Sequence, residues 1–329
     1  MATYNRETEG MTLVHQFADQ VKGKTFLLTG PSPGGLGAET VISLATESPA
    51  MIILVGRTLR KAQPTLDAIR ATSNAIKTKF VEADLASLKS VRAAAQTILA
   101  DPEIAHIDVV INNAGVMATP FQLTVDGLEF QLQSNHLGHF VLTNTIMPKL
   151  AQAARIVLLS SSGHRHNGVR FADPNFAEPG SYSEFAAYGQ AKTAVVLYAV
   201  ALNARLGARG VRAFAVDPGH VATGLQANLL AMDKERMMEV LEAAAWRING
   251  MALANVGKTF PSKTLQQGVA TVIRAALDPE LGKDEEGVFL EDVNLTTDPK
   301  SIKEWATDPE LAEKSWKMSE ELVGEKFDI

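Results

Sequence analysis

The sequence predicts an α/β protein, a single doubly wound and mostly parallel sheet flanked by helices, and three observations carry that expectation. Seven short apolar runs recur along the 329 residues, at 24–30, 51–56, 78–84, 108–115, 155–162, 211–219 and 287–293. The segments at about 36–48, 59–73, 87–100, 126–151 and 185–207 are long enough for the crossover helices that parallel strands need. Several runs, such as Met51-Ile52-Ile53-Leu54-Val55, are nearly continuous in aliphatic residues, the mark of strands covered on both faces.

Taken in order, residues 1–21 form an arm. Thr12 is the expected cap of a short helix that sets Leu13, Val14, Phe17 and Val21 on one side. The arm lacks the basic start and apolar run of a secretory signal, and no apolar run reaches the ~18 residues of a membrane span. A cytoplasmic location is therefore the expectation. Two stretches break the alternation: 162–184, rich in Gly, His, Asn and Pro, and 224–262, helical by pattern. Both follow strand ends, where open parallel sheets hold their ligands, so both are candidate pocket walls. In the tail, 298–329, Asp298-Pro299 and Asp308-Pro309 each read as a helix start with Asp as cap. Asn294-Leu295-Thr296 matches a glycosylation sequon and is read as a plain loop triplet. All of 1–329 is expected to form one domain.

Composition removes whole classes of function. A formal net charge of −6 leaves no excess of cations for a nucleic-acid backbone. With no cysteine there is no disulfide framework, no thiolate nucleophile and no thiolate metal site.

Between the first run and its helix lies Thr29-Gly30-Pro31-Ser32-Pro33-Gly34-Gly35-Leu36-Gly37. Lacking side chains, such a loop lets the backbone approach a pyrophosphate, whose charge the helix amino end favours; a plain Gly/Pro turn is the bland alternative. The second run ends in Val55-Gly56-Arg57, where an NAD site would present Asp or Glu to the ribose 2′-hydroxyl. Here stands Arg57, followed by Arg60 and Lys61, and a guanidinium grips a 2′-phosphate by charge-assisted hydrogen bonds. NADP(H) is thus expected over NAD(H). Asp84 and Leu85 close the third run, and Asn113, Ala114 and Gly115 close the fourth, so small or polar groups gather where adenine and ribose would lie.

Tyr188 and Lys192 are four residues apart in a helical segment, on one face. A neighbouring cation favours phenolate and makes a tyrosine a usable acid or base. Taken together, the glycine loop, Asn113-Ala114-Gly115, Asn135 of the following helix, the strand-end serines, Tyr188-x-x-x-Lys192 and Pro218-Gly219-His220-Val221-Ala222-Thr223 resemble the short-chain dehydrogenase/reductase family, whose fold is a Rossmann fold. The pieces 135–140, 187–194 and 316–324 resemble its subgroup around retinol dehydrogenases and WW-domain oxidoreductases, with fungal relatives. The resemblance runs from about 22 to 324 and thins in 224–262.

What it implies is specific. Tyr188 is the proton donor to a carbonyl being reduced; Lys192 lowers its pKa and holds the nicotinamide ribose; Asn135 anchors a water relay to the lysine. Ser161 is the serine that bonds the substrate oxygen, although three adjacent serines leave the register open by one. Pro218, Gly219, Val221 and Thr223 lie in the loop that meets nicotinamide amide and pyrophosphate. With Gly30, Ser32, Gly35, Leu36 and Gly37 of the glycine loop, these are the expected site residues. The loop is one residue longer than the family spacing, which displaces pyrophosphate contacts by an unknown amount. A homodimer through the helices of Asn135 and Tyr188 is the family's habit.

Segment 224–262 supplies Leu225, Leu229, Met238, Leu241, Trp246 and Phe260, expected as a lid over a bulky lipophilic carbonyl or alcohol, with core packing as the alternative. His164 and His166 are candidate pocket residues, without the further ligands a metal site would need. The leading expectation is an NADPH-dependent ketone or aldehyde reductase, or the reverse alcohol dehydrogenase. A non-redox isomerase or cyclase on the same fold, and a cofactor-sensing binding protein, are the alternatives.

Overall fold

The computed structural model describes residues 4–283 and 287–329. Its centre is one sheet in the order β3-β2-β1-β4-β5-β6-β7-β8, formed by β1 (Thr25–Thr29), β2 (Met51–Gly56), β3 (Lys77–Glu82), β4 (Ile107–Asn112), β5 (Leu150–Leu159), β6 (Arg212–Asp217), β7 (Phe289–Glu291) and β8 (Asn294–Leu295). The first seven run parallel, and β8 returns antiparallel to β7. The eighth strand is a correction: its two residues are the sequon read as a loop, and Asn294 Nδ2 donates to the backbone oxygens of Tyr4 and Asp292.

Helices cover both faces. They are α1 (Gly10–Gln16), α2 (Leu36–Ala45), α3 (Leu59–Thr72), α4 (Leu88–Ala100), α5 (Phe130–Leu132), α6 (Gly138–Thr145), α7 (Glu184–Leu206), α8 (Ala227–Leu230), α9 (Lys234–Asn249), α10 (Leu253–Thr259), α11 (Leu265–Leu277), α12 (Glu304–Thr307) and α13 (Pro309–Val323). Successive strand residues point to opposite faces, and both faces are apolar. Leu27, Ile53, Val110 and Ile156 join a core with Val91 of α4, Phe140 of α6 and Val196 of α7. Their neighbours Phe26, Ile52, Val109 and Val157 join a second core with Val14 of α1, Val41 of α2, Ile69 of α3 and Ile273 of α11. The strand order reverses between β1 and β4, and a cleft opens there at the carboxyl ends.

Several local expectations shift. The arm's helix begins at Gly10, not behind a Thr12 cap, because it rests on α11; a Cβ on Gly10 would lie 2.6 Å from Val269. Leu13, Val14 and Val21 are buried as expected. Asp308 caps α13 by accepting from the N–H groups of Glu310 and Leu311. Asp298 instead closes a turn, accepting from Lys300 N–H, and α12 starts only at Glu304. Helix α11, absent from the sequence expectation, starts with a capping box in which Thr264 and Gln267 bond each other's backbone.

The tail covers the helices that carry Asn135 and Tyr188. Trp316 of α13 packs edge-on against Phe140 at 4.9 Å and lies 5.9 Å from Tyr198, with the Arg205 guanidinium 4.0 Å over its ring. Phe327 adds a second edge contact to Phe140, and Ser319 hydrogen-bonds His136. A homodimer built on this α6/α7 face would have to displace the tail. Trp316→Ala should therefore cost about 3–5 kcal/mol in urea unfolding. A loss below about 1 kcal/mol would show that α13 lies outside the cooperative fold.

Candidate active site

The end of β1 sets the floor of the cleft. Gly30 turns the chain with φ 75°, and Asn113 Nδ2 donates to the carbonyls of Thr29 and Gly30 at 2.8 and 3.1 Å. Helix α2 then presses on this turn so closely that a Cβ on Gly37 would stand 2.4 Å from the Gly30 carbonyl oxygen. The extra loop residue bulges at 32–35, in a turn closed by Gly35 N–H to Ser32 O at 3.1 Å. Pro31 is held by Thr65, whose hydroxyl donates to its carbonyl. Gly30, Ser32, Gly35, Leu36 and Gly37 all line the cleft despite the added residue.

At one end of the cleft Arg57 and Lys61 stand exposed beside Asp84 and Leu85. Arg60 is not among the lining residues. Asn113, Ala114 and Gly115 form the middle wall, and Pro218, Gly219, Val221 and Thr223 the far one. Thr223 caps the turn 224–226 by accepting from Leu225 N–H, while Gln226 accepts from Thr223 N–H.

Ser161, Tyr188 and Lys192 meet on the floor. Helix α7 is started by Ser183, whose hydroxyl accepts from Ala186 N–H, and Tyr188 lies one turn in, 3% exposed. The three serines differ in placement: Ser160 donates to the Lys192 carbonyl and is buried, whereas Ser161 lines the cleft beside Tyr188. Ser161 also accepts from Gly163 N–H at 3.0 Å. Gly163 lies under the tyrosine ring, where a Cβ would be 2.7 Å from Cε1.

The electrostatics differ from the sequence expectation. Burial pushes the Tyr188 phenol above its ordinary value, opposed in part by the Ser161 hydrogen bond, so the phenol keeps its proton. Burial lowers Lys192 to about 8, against the opposing pull of Asp217. The ammonium donates to Leu159 O at 2.7 Å and stands 5.5 Å from the Tyr188 ring centre. The i,i+4 pair shares one face as expected, but desolvation dominates the charge effect on the phenol. A buried phenol that keeps its proton, next to a hydroxyl and a cation, is able to give that proton to an oxygen.

Asn135 lies behind this floor and does not line the cleft. It sits in a π-helical turn, Gln133–Leu137, that interrupts the expected continuous helix. Its amide brackets Val116, accepting from N–H at 2.8 Å and donating to O at 3.0 Å. Its carbonyl accepts from His139 Nδ1, whose Nε2 is 2.8 Å from the Thr29 hydroxyl, and that hydroxyl accepts from Ala114 N–H. The carbonyl can only accept, which places the ring proton on Nδ1. Burial lowers His139 to about 4 and keeps it neutral.

Two expectations fail here, for the histidines and for two residues of the expected lid. His164 and His166 are not in the wall: His164 is buried against Phe289 with Nδ1 on Ser161 O, and His166 bonds Asn167. Their neighbour Arg165 lines the cleft instead, paired with Glu291 at 2.5 Å. Among the described residues no group of His, Cys, Asp and Glu is placed to hold a metal. Of the segment expected as a lid, Met238 and Trp246 face water, 44% and 56% exposed. Leu241, Ala244, Ala245 and Ile248 occupy the inner face of α9, and Leu225, Leu229 and Phe260 join them around about 1160 Å³ of cleft. Arg6, Lys263 and Asp292 also line the cleft, unforeseen because their partners are distant in sequence.

Comparison with known proteins decides the family. A model described as short chain dehydrogenase matches residues 24–173. Short-chain dehydrogenase/reductase prx1 of Penicillium roqueforti is 34% identical over 93% of this chain and 86% of its own. The chain belongs to the short-chain dehydrogenase/reductases. Within that family it is similar to the retinol dehydrogenases; retinol dehydrogenase 12 of Mus musculus is 32% identical over 93% of this chain and 88% of its own. A crystal structure of a Mycobacterium paratuberculosis protein, 30% identical, superposes with a TM-score of 0.65 over 94% of this chain and 96% of its own. As a short-chain dehydrogenase/reductase this chain is an oxidoreductase that uses a nicotinamide cofactor, and the side-chain-free cradle at Gly30 and Gly37 fits the approach of a pyrophosphate. Among the described residues one helix, Glu184–Arg209, is long and apolar enough to cross a membrane, and its most apolar 18-residue window is 89% buried inside the fold.

Because Gly163 supports the Tyr188 ring, Gly163→Ala should tilt the phenol and lower turnover by about 10²-fold, with cofactor affinity changed less than about threefold. Equal losses in both would point to general damage to the fold.

Proposed function

We propose that this oxidoreductase is an NADPH-dependent reductase of a lipophilic ketone or aldehyde, or runs the reverse alcohol oxidation. The observation that carries the reading is the buried Tyr188 phenol beside Ser161 and Lys192 on the floor of a cleft whose other end presents Arg57 and Lys61. The cofactor supplies the hydride. Tyr188 gives its proton to the substrate oxygen, and Ser161 holds that oxygen by a hydrogen bond. Lys192, cationic at neutral pH, stabilises the phenolate left behind. Asn135 orders the backbone behind the lysine, where Gly115 has room for no side chain; a Cβ there would be 2.6 Å from Asn135 Oδ1. Leu225, Leu229, Leu241, Ile248 and Phe260 favour an apolar substrate body, since a lined cleft of this size rewards lipophilic area.

The test is NADPH oxidation measured across lipophilic ketones and aldehydes. Tyr188→Phe should keep cofactor binding and lose about 10²-fold or more in turnover; a fully active Phe variant removes Tyr188 from the mechanism. Reduction should also fall as pH rises through about 8 in kcat/KM, because Lys192 of the free enzyme loses its proton there. Stability moves the other way. The lysine's folded value lies below its ordinary 10.5, so the cost of burying its charge is relieved between about 8 and 10.5.

Cofactor choice rests on Arg57 and Lys61. Both are exposed, so salt weakens their grip on a 2′-phosphate. At low ionic strength Arg57→Ala should cost about tenfold in NADPH affinity and leave NADH binding unchanged. Equal wild-type affinity for the two dinucleotides would sink the preference.

A further inference from the structure

One buried cation in the cleft wall has no part in the chemistry above. Lys263 closes the lid segment and precedes α11, with a side chain only 3% exposed. Its Nζ is 2.5 Å from Asp292 Oδ1, just past the end of β7. The ammonium makes no aligned hydrogen bond among the described residues, so the pair is a contact of charges. Asp292 (φ 47°) and Val293 (φ 70°) form the two-residue turn that joins β7 to β8, so the hairpin fixes where the Asp292 carboxylate stands.

Between the two ends of that pair runs the loop that meets the nicotinamide in this family. Lys263 N–H donates to His220 O at 2.8 Å, and its backbone bridges Val221 in parallel. The lysine chain passes over Gly219, where a Cβ would be 3.0 Å from Cε, 3.1 Å from Cδ and 3.2 Å from Nζ. Backbone bonds, a side chain laid across a φ 77° glycine and a buried ion pair thus clamp the loop to the sheet edge. Arg6 of the arm secures the same hinge, donating to Pro261 O at 2.6 Å.

We infer that Lys263, paired with Asp292, is a positioning residue that fixes loop 218–223 in its cofactor-binding shape and anchors the closing end of the lid. The inference rests on reading that cleft as the nicotinamide site. A neutral side chain at 263 would remove the charge contact with Asp292 and loosen the chain laid over Gly219, and the loop would have to be ordered at each binding event.

The experiment titrates NADPH and NADH against the full chain by tryptophan fluorescence, with thermal unfolding measured in parallel. Lys263→Met and Asp292→Asn should each weaken NADPH binding about tenfold or more, and Lys263→Arg should recover most of it. A folded Lys263→Met that binds NADPH like wild type overturns the inference, as does a lowered melting temperature with unchanged affinity. If Lys263→Met does not fold, Asp292→Asn decides on the same readout, since its side chain is 47% exposed. Wild type that binds neither dinucleotide overturns the cofactor reading and this inference with it; a Lys263 variant that binds normally overturns the inference alone.

Discussion

The Asn113 amide, donating to the carbonyls of both Thr29 and Gly30, is the contact on which the rest of the site depends. It joins the ends of β1 and β4 where the strand order reverses, so the two chains part at a fixed place and the cleft has a defined floor. Helix α2 can press onto that floor only because Gly37 has no side chain. The same junction reaches the other side of the site through Ala114, Thr29 and the neutral ring of His139, which holds the Asn135 carbonyl. The Gly30 turn and the Asn135 π-helical turn are therefore parts of one hydrogen-bonded frame.

Within that frame burial does most of the electrostatic work. It holds the Tyr188 proton in place and weakens the hold of Lys192 on its own, which moves the two groups apart in proton affinity and leaves the phenol protonated. Neutral His139 and His136 keep further charge out of this buried layer, since burial lowers both to values far below neutrality.

The sheet was legible in the sequence because strands buried on both faces leave unbroken aliphatic runs, and the tight turn after β1 was legible because crowded backbone at Gly30 and Gly37 demands glycine. Every expected cofactor residue from Gly30 to Thr223 lines the cleft. What stayed hidden depends on partners far away in the chain. Apolar content in 224–262 announced a lid, but which side of α9 turns inward is decided by the body it packs on, and Trp246 and Met238 fell on the wet side. Lys263 and Arg6 carry no local signal, as their contacts lie 29 and 255 residues away. The cap of α11 was there to be read in Thr264 and Gln267, whereas β8, two residues long, has no pattern of its own.

Helix α13 also has a bearing on how the molecule is made. It is synthesised after every strand and after both helices it covers, so Phe140 and Tyr198 have no aromatic cover until Trp316 has left the ribosome. A nascent chain that has already built its cofactor cleft would still show an apolar strip along α6 and α7. Docking of α13, and of Phe327 beyond it, is what closes that strip.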